Sequence, residues 1–167
     1  MKLDILIVDF AMLALVFVPY LIFILIGKRE ERNLKNTFLE ETRKLRLRLD
    51  EKDKWNNNII GLDKEKTTLL LVQKRRTGLL TEVIDLREVR ACEVLQEVQT
   101  VRIEQRNEQI LQKIDLQLKL YDGSFRIIRL YDCEETYTQD YELKHAEKWN
   151  NTINSLIVFR PTINSAA

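Results

Sequence analysis

Catalytic or metal chemistry in this 167-residue chain would have to be built from one histidine, His145, two cysteines, Cys92 and Cys133, and a large stock of carboxylates. A protein zinc site draws on several His, Cys or carboxylate ligands at set spacings, and one histidine supplies no pair. Cys92 and Cys133 lie far apart with no C-x-x-C motif, so they read as two separate thiols. No G-x-S-x-G, phosphate-loop or G-x-G-x-x-G run occurs, and no spacing pairs two carboxylates for acid–base work. His145 is expected to serve at the surface or as a cap on its element. This inventory points away from an enzyme and implies no cofactor and no metal.

Electrostatic binding is the next chemistry to consider. Lys74-Arg75-Arg76 stands beside Gly78, where three cations in a turn can meet phosphate groups or an acidic partner. The same triplet also suits a solvated turn that discourages edge pairing. Lys+Arg 27 against Asp+Glu 26 gives a net charge of +1, so the chain lacks the global field of a dedicated nucleic-acid binder. With 45% hydrophobic and 32% charged residues, 4 Gly and 2 Pro, it is not collagen-like, not a disulfide scaffold and not wholly disordered.

The elements that carry these residues begin with an apolar run from Ile5 to Ile26, interrupted only by Asp9 and Pro19. As a helix this run is about 33 Å long, enough to cross a hydrocarbon core of roughly 30 Å. A cleaved signal peptide would have a shorter apolar region ending in small residues. Here the run ends Ile24-Leu25-Ile26-Gly27, so residues 1–27 are expected to be an uncleaved transmembrane anchor in contact with membrane lipids. Lys28, Arg29, Arg32 and Lys35 crowd one flank, whereas the other has Lys2 and Asp4. The basic side stays in the cytoplasm, so the expected placement is a single pass of a cell inner membrane, N-terminus outside. Asp9 is expected either at the interface or against another subunit, and Pro19 is expected to kink the span.

Residues 28–44 are good helix formers and predict a short basic stalk, with Leu34, Phe38 and Leu45 near one face. Glu31 and Lys35, and Glu40 and Lys44, stand at i,i+4 and would support a solvated helix. The period then changes to two. Leu45, Leu47 and Leu49 alternate with charges, as in a half-buried strand. Further strands are expected over 58–62, 67–73, 80–86, 90–98, 114–120 and 126–131, the last two joined by the turn Asp122-Gly123-Ser124. Residues 98–107 are expected to be a loop or long hairpin tip. An amphipathic helix over 139–157 presents Leu143, Ala146, Trp149, Ile153 and Leu156 on one side, and Trp55 and Trp149 are expected to plug the two ends of one core. The rival architecture is a long helix over 88–113 in a membrane-tethered coiled coil.

Seven strands closed by one helix with a Trp resemble a pleckstrin-homology-like domain, and more narrowly the bacterial membrane-anchored proteins that carry one after a single membrane helix. The resemblance covers residues 45–158. It rests on Asn58-Ile59-Ile60-Gly61-Leu62-Asp63, Val83-Ile84-Asp85-Leu86, the 114–131 hairpin and Ala146-Glu147-Lys148-Trp149. It implies an α+β layout in which a small antiparallel barrel or sandwich is capped by the C-terminal helix, leaving 159–167 as a tail. It also implies binding rather than catalysis. Phosphoinositide-binding members place basic residues around the first core turn, where this chain has Asp63-Lys64-Glu65-Lys66 with mixed signs. The expected role is a non-catalytic scaffold that presents its domain to a protein partner or the membrane surface. The alternative is an accessory subunit of a larger membrane complex.

Overall fold

The computed structural model describes residues 2–103, 106–136 and 141–158, with side chains described from Met12 onward except for 103, 106–108 and 158. The expected tail 159–167, and residues 139–140 of the expected last helix, lie outside the described residues.

An uninterrupted helix, α1, runs from Lys2 to Lys44, about 65 Å at the usual rise. Pro19 lies inside it, and the backbone stays helical on both sides. The side chain of Asp9 lies outside the described set. The apolar part of α1 has mean hydropathy 1.9, is not buried by the rest of the chain, and is long enough to cross a membrane. Arg43 and Lys44 complement the dipole of the last turn. A left-handed Arg46 (φ 51°) reverses the chain. The Leu47 amide donates to Thr42 O at 2.9 Å and the Arg46 amide to Arg43 O at 3.0 Å, so the last carbonyls are satisfied.

Two antiparallel sheets follow. The first is the meander β1 (Glu51–Trp55), β2 (Asn58–Asp63), β3 (Thr68–Arg75) and β4 (Gly78–Asp85). A 3-10 turn, Leu86–Glu88, leads to the second, made of β5 (Val89–Ile103), β6 (Arg106–Leu120) and β7 (Phe125–Asp132). Helix α2 spans Glu142–Val158. The layout is α+β, and within the stretch 88–113 the described residues 89–103 and 106–113 are strand rather than the long helix of the rival reading. Of the stretch 98–107, the described residues 98–103 and 106–107 are the distal arms of a β5–β6 hairpin, whose ladder pairs Val98 with Leu111 and Ile103 with Arg106.

The main core lies between the sheets and under α2. Ile60, Leu62, Leu69, Leu71 and Ile84 from the first sheet meet Ile114, Leu116, Leu118, Ile128 and Leu130 from the second, and Trp55, Ala146, Trp149 and Ile153 close it. Leu143 and Leu156 pack at its margin, half-buried. Strand alternation sends Ile59, Leu70 and Val72 to the opposite face, where they form a second core with Leu34 and Phe38 of α1. The basic segment 28–44 is therefore not a free stalk. It covers the outer face of the first sheet, which is why β2 is buried along its whole length. Gly61 is required here: a Cβ at that position would lie 2.8 Å from Phe38 Cζ and 3.0 Å from Leu49 Cδ1.

Two further expectations change. Leu45, Leu47 and Leu49 do pack half-buried against the second core, but the segment is not a strand, and the first strand is Glu51–Trp55. The segment is instead pinned at its end: the Arg48 amide donates to Asp63 Oδ2 at 2.7 Å and the Asp50 amide to Leu62 O at 2.8 Å. The i,i+4 pairs of α1 are replaced as well. Lys44 pairs with Glu41 at 3.2 Å, and Glu31 pairs across to Lys54 of β1.

Candidate functional site

A cleft of about 500 Å³ opens where α1 leaves its apolar segment and meets the first sheet. Gly27, Glu30, Glu31 and Leu34 line one wall, and Lys54, Trp55, Asn56, Asn57 and Lys74 line the other. The alternation of β1 sets up this wall. Lys52 and Lys54 face α1, where Lys52 Nζ lies 4.9 Å above the Phe38 ring and Lys54 pairs with Glu31. The Lys54 bond holds the Glu31 carboxyl below its ordinary value. Lys74 of β3 pairs with Glu30, so two ion pairs tie the domain to the helix just beyond the apolar run.

Glu51, Asp53 and Trp55 point to the other side, toward α2. Trp55 stacks on His145 with ring centroids 4.6 Å apart and planes 5° from parallel. His145 Nδ1 and Lys148 Nζ each lie 2.9 Å from Asp53 Oδ2. The only histidine is thus half-buried between a tryptophan and a carboxylate that orient it, and it positions α2 against β1. Burial pushes the Asp53 carboxyl up, but the bonds from Lys148 and His145 outweigh it and leave the group below its ordinary 3.8. A carboxylate lowered on folding stabilises the fold above its unfolded value, and that contribution is lost as pH falls through the lower folded value. Stability is therefore expected to fall below about pH 4, and Asp53→Asn to flatten that dependence, as read by tryptophan fluorescence during acid titration.

The three cations of the basic triplet have separate surroundings. Lys74 is engaged by Glu30. Arg75 donates to Glu135 Oε2 at 2.8 Å, Gln73 Oε1 at 2.9 Å and the Arg129 carbonyl at 2.6 Å, which locks β3 to β7. Arg76, in the β3–β4 turn, is exposed and makes no ion pair among the described residues. Lys28, Arg29, Arg32 and Lys35 are all exposed on α1.

Sequence reasoning missed the polar joint beside this site. Asn58 and Gln73 face each other across β2 and β3. Gln73 Nε2 donates to Asn58 Oδ1 at 2.6 Å and to the Arg129 carbonyl at 2.7 Å, while Asn58 Nδ2 donates to the Leu130 carbonyl at 2.9 Å. Two buried amides thereby stitch the sheets together and satisfy strand carbonyls that would otherwise be costly to bury.

The two thiols differ in their surroundings. Burial pushes Cys92 up to about 12, and Cys133, half-buried, donates its Sγ hydrogen to Gln112 Oε1 at 2.8 Å. Thiol reagents act on the thiolate, so Cys133 is expected to label first in the native protein and Cys92 at the rate of unfolding. Mass spectrometry of time-quenched samples checks this, and simultaneous labelling would contradict it. Among the described residues no group of three or more His, Cys, Asp or Glu side chains is placed to hold a metal ion.

The site's geometry is that of a joint between a long apolar helix and a sheet domain, built from charge pairs and amides. No known protein family, curated protein or solved structure matches this chain. Its function must be argued from the joint itself.

Proposed function

We propose that the protein is a single-pass membrane protein of a bacterial inner membrane whose cytoplasmic, pleckstrin-homology-like domain is a non-catalytic scaffold for a protein partner. The observation that carries this reading is the mounting of the domain. The helix that leaves the apolar segment continues unbroken into the second hydrophobic core, where Leu34 and Phe38 are buried and Lys54 and Lys74 clamp Glu31 and Glu30. A domain fixed in this way has a set orientation to the membrane, which suits presentation of a surface better than free diffusion on a flexible linker.

Two consecutive antiparallel meanders of four and three strands followed by a terminal helix support the pleckstrin-homology-like assignment. The basic flank Lys28, Arg29, Arg32 and Lys35 supports a cytoplasmic domain. The long β5–β6 hairpin offers a surface for a partner, since Leu95, Val98 and Ile110 are each about 40% exposed. Exposed apolar residues grouped on one feature suit protein contact.

Alkaline extraction of membranes followed by cross-linking from position 98 tests the reading. The chain is expected to stay in the membrane pellet and to yield one discrete cross-linked protein that is lost with Leu95→Asp and Ile110→Asp. Release of the chain by alkali would reject the anchor. Stoichiometric purification with multispanning subunits in mild detergent, through contacts at Asp9 and Pro19, would instead favour an accessory subunit.

A further inference from the structure

The register between α1 and β3 places one end of the domain at the level of the membrane boundary. Phe38 lies over Gly61, whose partner in β3 is Leu70, and eight residues earlier in the helix Glu30 is held by Lys74. Eight helical residues span about 12 Å, and the four strand residues from Leu70 to Lys74 span about 13 Å, so α1 and β3 run antiparallel and in step. Two residues beyond Lys74, just past the end of β3, Arg76 comes level with about residue 26, the last of the apolar run. The neighbouring β1–β2 turn gives the same level independently, because Asn56 and Asn57 line a cleft together with Gly27.

The β3–β4 turn is suited to a headgroup layer at that level. Arg76 is exposed, and just behind it Leu79 and Leu80 are 42% and 40% exposed. Of the acidic side chains at this end, Glu30, Glu31 and Glu135 are paired with Lys74, Lys54 and Arg75, while Glu134 stays exposed beside Glu135. At the β3–β4 turn itself the outward side chains are Arg76, Leu79 and Leu80, cationic and apolar, the combination that settles at an anionic lipid interface. Lys28 and Arg29 add exposed positive charge at the same height on α1.

We infer that the β3–β4 turn rests on the anionic headgroups of the membrane that α1 crosses, so that the domain is seated on the bilayer and its long hairpin is held at a fixed angle to it. This rests on the reading of α1 as a membrane span. A single outward arginine with two leucines makes the contact dependent on the tether, so it belongs to the whole chain and not to a detached domain.

The test uses the full chain reconstituted into vesicles of phosphatidylcholine and phosphatidylserine, with Cys133→Ser and the buried Cys92 left in place. Thr77→Cys, at the turn, carries a fluorophore, and a nitroxide on the lipid headgroup serves as quencher. Glu65→Cys, in the β2–β3 turn at the far end of a strand about 26 Å long, is the reference. The probe at 77 is expected to lose about half its emission and the probe at 65 none, and Arg76→Glu with Leu79→Ser is expected to abolish the loss at 77. Equal emission at the two sites overturns the contact. A third probe at Leu15→Cys, read with an acyl-chain nitroxide, separates the two ideas. Quenching at 15 without quenching at 77 rejects only the seating, whereas no quenching at 15 rejects the membrane span and the seating together.

Discussion

Phe38→Ala is expected to destabilise the protein by about 3 to 5 kcal/mol, the usual cost of removing a fully buried aromatic ring. The residue sits on α1 but has no exposed surface, packed over Gly61 and among Ile59, Leu70 and Val72. A loss of that size is a large share of the stability of a small domain. The effect is read as the urea midpoint of tryptophan fluorescence in the full chain in detergent. A change below about 1 kcal/mol would mean that 28–44 is a detached stalk after all. A fragment starting at residue 45 is likewise expected to aggregate, because Ile59, Leu70 and Val72 would then face water, whereas one starting at residue 28 keeps them covered.

Trp149→Ala is expected to have a comparable or larger effect, about 3 to 5 kcal/mol with loss of the α2 docking. Trp149 is fully buried with Ala146 and Ile153 in the main core. Its indole N–H finds no hydrogen-bond partner among the described residues, so the contribution of the side chain is packing rather than polar bonding. Trp149→Phe removes that buried donor and keeps most of the ring, and is therefore expected to cost clearly less than the alanine variant. Equal costs for Phe and Ala would contradict this account of the core.

What could be read from the residues depended on how many faces of each element are buried. Strand β6 was legible because Ile114, Leu116 and Leu118 point to one core while the intervening residues stay largely outside it. Helix α2 was legible for the same reason, through Trp149 and Ile153. Strand β1 was not, since Glu-Lys-Asp-Lys places a charge at each of four successive positions. Those charges are satisfied by opposite neighbours, Lys54 by Glu31 of α1 and Asp53 by His145 and Lys148 of α2, and no local pattern contains those partners.

The docking of α1 did leave a trace in the sequence. Leu69-Leu70-Leu71-Val72 is a continuous apolar run, which signals a strand covered on both faces, and Leu34 and Phe38 stand at the helical spacing that could cover one of them. The basic triplet divides for a related reason, because adjacent residues point to opposite faces. Lys74 turns to α1 and Arg75 to β7, leaving Arg76 alone at the tip.

The most direct measurement of the central claim is labelling of intact cells with a membrane-impermeant thiol reagent, applied to Leu3→Cys and Ser165→Cys variants. A single-pass anchor with its domain in the cytoplasm predicts labelling at 3 without permeabilisation and at 165 only after it. Labelling at 165 in intact cells, or a mature chain that has lost position 3, would contradict the account.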